Sequence, residues 1–157
     1  MKKFLCISIF ILITSLCFAA SLTVLVNQKD SAGTSIFENT RIFEDGLINY
    51  FFETGNIVSN EPVCLDNQYK GAFQAALDAS KNGYIDYIAV FTISIDALTQ
   101  EIRHVDWSVF QVRNGVKIEE GMITAPSIAD QLDISKGILK FAEQNGTVVS
   151  KAIAKIR

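Results

Sequence analysis

The chain has 157 residues and a formal net charge of −3, with no cluster of lysines or arginines. This acidic balance argues against nucleic acid as a partner and gives no electrostatic reason to bind anionic lipid. The length suits one domain whose core can form without disulfides or a metal ion.

The start of the chain has the order of parts of a secretory signal peptide. Lys2 and Lys3 form a short positive region, and the run Phe4–Leu16 that follows is uncharged. Cys17 and Ala19 then place small residues at the −3 and −1 positions of a cleavage site after Ala19. The two lysines leave with such a peptide, which moves the formal charge from −3 to −5.

We therefore predict a signal peptide over residues 1–20, with cleavage near Ala19 or Ala20, and a single domain over residues 21–157. One alternative is an uncleaved N-terminal anchor, although the apolar run is shorter than the about 20 residues that a spanning helix needs. Another is a lipid anchor through Cys17, but Leu16 stands where bacterial lipid-attachment sites usually carry a small residue.

The domain begins with a short apolar strand, Leu22–Val26, and a polar loop, Asn27–Thr34. Ser35 and Glu38 have the spacing of a capping box, so we expect a helix to begin there and to end at Gly55. The apolar stripe of this helix consists of Phe43, Leu47, Ile48, Phe51 and Phe52.

The next segments alternate between short strands and a helix. A strand at Ile57 and Val58 and a helix closed by Asn82-Gly83 lead to the run Tyr84–Ile95, which is apolar at nearly every position and predicts the central strand of a sheet.

A hairpin and a helical tail complete the domain. Two alternating segments, Glu101–Arg113 and Val116–Ile123, flank Asn114-Gly115, which predicts a hairpin with a type I′ turn. The tail from Ser127 is helical, with a break at Gly146.

The predicted order is β-α-β-α-β-β-β-α. It indicates an α/β (α+β) fold, with one mixed sheet and helices packed mainly on one face. The first helices cross over between parallel strands, and the hairpin extends an antiparallel edge.

The sequence contains no convincing catalytic constellation. His104 is the single histidine and alternates with Val105 and Trp107, so we expect it on the exposed face of its strand. An enzyme would need this histidine beside Asp106 or Asp86 in a cleft. One histidine and one cysteine outside the predicted leader are too few for a zinc site. No phosphate-binding glycine motif follows the first strand. We predict no enzymatic activity, no metal and no cofactor.

Cys64 is the single cysteine outside the predicted leader, which takes Cys6 and Cys17. Its apolar neighbours Val63 and Leu65 favour a small buried hydrophobic side chain. The alternatives are a disulfide between chains or a reactive thiol.

Two places on the predicted fold are candidates for contact with a partner. The first loop lies at the carboxyl edge of the sheet, where ligands of open α/β sheets bind. In the hairpin, Val109 and Phe110 cannot share one face, and exposed aromatic residues dominate many interfaces. The candidate contact residues are Asn27, Gln28, Lys29, Asp30, Trp107 and Phe110.

Three segments carry a resemblance to known proteins: LTVLVN at Leu22–Asn27, AALDASKNGYIDYIAVFTISI at Ala75–Ile95 and VDWSVFQVRNG at Val105–Gly115. The chain resembles the exported α/β domains found in the N-terminal domain of TolB, in the LpoB-like activators of penicillin-binding proteins and in CsgG-like curli-secretion proteins. The resemblance covers nearly all of the predicted domain.

The resemblance implies a noncatalytic protein of the bacterial periplasm or cell envelope. Such a protein binds an envelope protein as an adaptor or assembly factor, with peripheral membrane association and oligomeric state left open. The alternative is a periplasmic carrier or sensor of a small ligand, held over the strand ends near Asn27 and Asp86.

Overall fold

The structure is a computed structural model that describes residues 20–30, 35–126 and 133–156. The predicted signal peptide, with Cys6 and Cys17, lies outside the described residues. So do four residues of the predicted first loop and the start of the predicted helical tail. In the described part of the chain, no helix is both long enough and apolar enough to cross a membrane.

The described residues form six strands and three helices in one mixed sheet with helices on both faces. The strands are β1 (Ser21–Lys29), β2 (Ile57–Asn60), β3 (Cys64–Leu65), β4 (Tyr87–Ile95), β5 (Ile102–Gln111) and β6 (Val116–Thr124). The helices are α1 (Glu38–Glu53), α2 (Tyr69–Asn82) and α3 (Ile134–Ile156).

The sheet has the strand order β2-β1-β4-β5-β6, with β3 pairing to β1 beyond the end of β2. β1 is parallel to β2, β3 and β4, whereas β4, β5 and β6 are antiparallel to one another in turn. The predicted mixed sheet is confirmed, as are the predicted central strand and the predicted hairpin. The two-residue strand β3 was not predicted.

The main core lies between the sheet and the helix pair α1 and α3. Alternate residues of β1 and β4 point into it, because successive side chains of a strand face opposite sides. Its largest fully buried side chains include Phe43, Phe51, Phe91 and Phe141. A smaller cluster under α2 contains Leu25, Cys64, Ala76, Leu77, Ile88, Val90 and Val112. The helices therefore pack mainly on one face, as predicted.

Two glycines allow α1 and α3 to pack closely. A Cβ atom on Gly46 would come within 2.7 Å of the Cβ of Ala142, and one on Gly146 would overlap the ring of Tyr50. α3 runs through Gly146 without interruption, so the predicted break there is wrong. Close packing against the Tyr50 ring outweighs the low helix propensity of glycine, which is about 1 kcal/mol.

Gly146→Ala tests this packing. We expect the substitution to lower the free energy of unfolding by about 1–3 kcal/mol, because the added methyl group overpacks the Tyr50 contact. Gly71→Ala is the matched control, since Gly71 lies in α2 with nothing near its Cβ position. The control is expected to gain about 0.5–1 kcal/mol. Urea unfolding measures both, and equal stabilisation of the two variants would contradict the packing argument.

The turn between β5 and β6 differs from the predicted one. Gly115 has a φ of 68°, but Asn114 is outside the positive-φ region, which a type I′ turn requires at both central residues. The N–H of Gly115 donates to the carbonyl of Gln111 (2.9 Å) in a longer loop. Val112 is buried under α2, and its N–H donates to the carbonyl of Asp86 (3.0 Å). These contacts hold the chain inward, and the predicted turn type is wrong.

The pairing of β5 with β6 contains a register shift between Val109 and Phe110. Across the same hairpin, Trp107 lies opposite Gly121, and a Cβ on that glycine would come within 2.8 Å of the indole ring. The glycine therefore leaves room for the buried indole ring beside β6.

Candidate functional site

The side chain of Gln28 joins the end of β1 to the start of α1. Its Oε1 accepts hydrogen bonds from the N–H of Phe37 (2.8 Å) and from the hydroxyl of Thr40 (2.7 Å). Its Nε2 donates to the carbonyl of Ser35 (2.9 Å) and to the carboxylate of Asp30. An amide has two donor hydrogens and two acceptor positions, and all four are used here. This accounts for a glutamine side chain that is only 1% exposed.

The same amide replaces the predicted capping box. α1 begins at Glu38 with Phe37 as its N-cap residue, and no side chain of the cap residue bonds to the helix start. The prediction that Ser35 caps the helix is wrong, because the amide of Gln28 reaches the free N–H of Phe37 from the neighbouring strand.

Gln28→Ala is expected to lower the free energy of unfolding by about 2–4 kcal/mol, because it leaves buried donors at the start of α1 without acceptors. Gln74→Ala is the control, since the amide of Gln74 donates to Asp78 on the exposed surface of α2. The control should stay within about 0.5 kcal/mol of the parent protein. A similar small effect for both variants would show that Gln28 does not hold the helix start.

β1 continues through Lys29, so the predicted first loop begins later than expected. Asn27 is buried, and its Nδ2 donates to the carboxylate of Asp66 (3.2 Å). Asn27 and Gln28 therefore lie inside the domain, whereas Lys29 is exposed and Asp30 is partly buried at the carboxyl edge of the sheet. The first two residues support this edge, and the last two belong to its surface.

A hydrogen-bonded loop between β4 and β5 stands next to that edge. The carboxylate of Asp96 accepts hydrogen bonds from the N–H groups of Leu98 (2.9 Å) and Thr99 (3.1 Å). The backbone carbonyl of Asp96 accepts a hydrogen bond from the N–H of Gln100 (2.8 Å), and Gln100 has a φ of 57°. The side chain of Asn39 in α1 donates to the carbonyl of Gln100 (2.7 Å). The loop is thereby fixed to both the strand and the helix.

Leu98 at the tip of this loop is 95% exposed. It was not among the predicted contact residues. The exposure of Leu98 could have been predicted from the sequence. Asp-Ala-Leu-Thr directly after an apolar strand is typical of a turn in which the aspartate side chain accepts a hydrogen bond from the backbone N–H two residues later. An apolar residue inside such a turn has no core position available.

Asp96 carries the electrostatics of the loop. The two backbone N–H groups of Thr99 and Leu98, followed by the guanidinium of Arg103, hold the pKa of its carboxyl below the ordinary value. The carboxylate is therefore ionised at neutral pH. Because the pKa of the Asp96 carboxyl is lower in the folded protein, its ionised form stabilises the fold at pH values above the ordinary carboxyl pKa. This stabilisation is lost as the pH falls through the lowered pKa, so it is fully present at neutral pH.

A cleft of about 410 Å³ lies between the end of β1 and this loop. Its surface combines positive and negative side chains with the apolar side chain of Leu98. The lining residues used here are Lys29, Asp30, Ser94, Asp96, Leu98 and Arg103. The carboxyl edge of the sheet thus presents an apolar tip beside a charged surface.

The hairpin aromatics have packing roles in the isolated domain. Trp107 is 7% exposed and belongs to the main core. The ring of Phe110 packs on that of Phe73 in α2, with centroids 4.6 Å apart. Neither ring stands on the open surface that we expected for the hairpin, because α2 and Gly121 leave space that the rings fill. Their contact with a partner stays a prediction.

His104 lies on the sheet face opposite to Val105 and Trp107, as predicted, with its side chain 36% exposed. Its Nε2 is 3.7 Å from a carboxylate oxygen of Asp106 on the same strand. Asp106 also lines a cleft of about 410 Å³ on the sheet, whereas His104 lies outside the lining of that cleft. In the described part of the chain, no group of three or more His, Cys, Asp or Glu is placed to hold a metal ion.

The site proposed for a small ligand does not assemble. Asn27 lies near the carboxyl end of β1, whereas Asp86 precedes β4 and accepts a hydrogen bond from the hydroxyl of Ser21 (2.7 Å) at the amino end of β1. Six residues of strand between them span about 20 Å. The two residues lie at opposite ends of the sheet, because parallel β1 and β4 place their starts together.

Cys64 is buried, as predicted, and burial raises the pKa of its thiol. Its sulfur is 3.7 Å from the side-chain oxygen of Asn27. The thiol therefore has little thiolate character at neutral pH.

A thiol reagent at neutral pH should modify Cys64 far more slowly in the native protein than in urea, by about a hundredfold or more. Absorbance of the released chromophore gives both rates on the processed chain. Equal rates would contradict the burial of this side chain and restore the reactive-thiol alternative.

Comparison with known proteins gives a family and a fold. The model of a family described as "Uncharacterised protein" matches residues 21–157, and the chain belongs to that family. No curated protein matches the sequence. A single-residue variant of the PelC dodecamer from Paraburkholderia phytofirmans is similar in structure, at 13% identity and a TM-score of 0.50, over 80% of this chain and 85% of that one.

Two further structures bear on the predicted resemblance. The LpoB C-terminal domain from Escherichia coli is similar at 16% identity and a TM-score of 0.44, over 66% of this chain and 81% of that chain. TolB from Acinetobacter baumannii is similar at 16% identity and a TM-score of 0.40, over 88% of this chain and 28% of that chain. The predicted resemblance to TolB and LpoB is confirmed as one of fold, and the resemblance to curli-secretion proteins stays a prediction.

Proposed function

We propose that the chain is an exported, noncatalytic protein of the bacterial cell envelope that binds another envelope protein as an adaptor or assembly factor. The signal-peptide pattern at the start of the sequence supports export. The fold is shared with PelC, which is described as a dodecamer. Fold alone does not fix function, so the case depends on the surface at the carboxyl edge.

The observation that carries the proposal is the exposure of Leu98 on an ordered loop. A leucine that is fully exposed gains nothing for the stability of its own domain, whereas burial against a partner removes its apolar surface from water. Because Asp96 and Asn39 already fix the loop, little conformational freedom is lost when a partner binds. An ordered apolar tip is therefore suited to protein binding.

The surroundings of Leu98 fit the anatomy of a protein interface. Lys29, Asp30 and the Arg103–Asp96 ion pair form a charged rim beside the apolar tip. Interfaces commonly place an apolar anchor at the centre and polar groups around it. The partner that this surface fits is a protein with an apolar pocket bordered by charges of both signs.

The predicted contact residues take different parts in this proposal. Lys29 and Asp30 belong to the contact surface, and Asn27 and Gln28 hold the strand end that carries them. Trp107 and Phe110 remain candidate contact residues in the hairpin. A partner would contact the ring edges that the packing of the domain leaves accessible.

Leu98→Asp tests the proposal. We expect the tagged, processed variant to lose the dominant partner in crosslinked capture from its own envelope fraction, read by mass spectrometry, because a charge replaces the apolar anchor. Its free energy of unfolding should stay within about 0.5 kcal/mol of the parent protein, as is usual for surface changes.

Tyr84→Asp is the matched control, since Tyr84 is 92% exposed on the loop before β4, at the other end of the sheet. This control should capture the same partner as the parent protein. Asp96→Ala is a second test, because it removes the acceptor that orders Leu98 while leaving the leucine in place. Capture that is unchanged in both Leu98→Asp and Asp96→Ala would overturn the assignment of this surface.

A further inference from the structure

A second cleft lies at the opposite end of the sheet, between the C-terminal turns of α1 and α3. It has a volume of about 510 Å³. Ala20, the residue that precedes β1, is part of its surface. The other lining residues are Tyr50, Phe51, Thr54, Asn56, Ser150, Ile153 and Ala154.

Ala20 packs in the core of the described domain. Its side chain is 3% exposed within the main core, and its carbonyl accepts a hydrogen bond from the N–H of Ile57 (2.9 Å). Cleavage after Ala20 would remove both contacts and would place the large residue Phe18 at the −3 position. Cleavage after Ala19 keeps every contact of Ala20.

The cleft beside Ala20 is bordered by helix C-termini, and the last turn of α3 also carries the cation Lys155. α1 ends at Glu53 and α3 ends at Ile156, so the last turns of both helices border the cleft. The C-terminus of a helix carries a partial negative charge and stabilises a nearby cation. The hydroxyl of Ser150, which lines the cleft, is buried without a hydrogen-bond partner among the described residues.

We propose that this cleft receives the amino terminus of the processed chain. Hydrolysis of the Ala19–Ala20 peptide bond by a signal peptidase consumes one water and leaves a carboxylate on Ala19 and an α-ammonium group on Ala20. The ammonium group then lies between the two helix C-termini, where the uncleaved chain has a neutral peptide nitrogen. Processing thus stabilises the domain that it releases.

The inference rests on the proposed export of the chain but not on its partner binding. The first measurement is the intact mass of the full chain after export from a bacterial host. We expect the mass of residues 20–157. A product that begins at Cys17 or Ser21, or that keeps the leader, would overturn the inference.

The second measurement separates the charge from the contacts of Ala20. Insertion of Ser-Gly between Ala19 and Ala20 in the full chain preserves the cleavage site and the contacts of Ala20 but moves the ammonium group out of the cleft. At about 0.01 M salt, where screening is weak, we expect the unfolding equilibrium constant to rise roughly threefold to thirtyfold over that of the parent protein. At about 1 M salt the two proteins should converge.

Deletion of Ala20 is the matched control. It removes the core methyl group and the acceptor of the Ile57 hydrogen bond, so its destabilisation should persist at high salt. An inserted variant as stable as the parent at low salt would overturn the inference and leave the proposed partner surface untouched, because that surface lies at the other end of the sheet. A loss for the insertion that is equally large at both salt concentrations would overturn it as well.

Discussion

The buried amide of Gln28 is the interaction on which the carboxyl edge of the sheet depends. A polar side chain at this depth is tolerated only when its donors and acceptors are all used, and Gln28 uses all four. These bonds fix where β1 ends and where α1 begins. They also place Asn39 so that it can hold the loop of Leu98. The strand end, the helix start and the exposed tip therefore form one connected unit.

Apolar patterning was sufficient to predict the order of elements, the central strand and the hairpin. The spacing of apolar residues differs between elements that are buried on one face and elements that are buried on two. Failures occurred where a distant residue decides the local geometry. Gln28 replaces Ser35 at the start of α1, and Tyr50 fills the space left by Gly146. Gln28 lies beyond the four-residue span of a capping box, and Tyr50 lies in a different helix from Gly146, so the local rules could not predict either contact.

The candidate site was predicted only in its position. The carboxyl edge was expected from the general rule for open α/β sheets, but polar residues there were taken for a loop although three of them belong to β1 and two of these are buried. Polarity by itself does not distinguish an exposed residue from a buried one whose hydrogen bonds are complete. Leu98 was overlooked for the opposite reason, because an apolar residue is expected to be buried unless its turn is recognised.

The register shift in the hairpin bears on how the domain behaves at high concentration. β6 borders the sheet, and an open border strand is a template on which further chains can polymerise. The shift between Val109 and Phe110 disturbs the regular spacing that such growth requires, and the adjacent Glu119 and Glu120 would repel identical neighbours. Both features disfavour the pairing of identical chains along this side, while the ends of the strands do not share them.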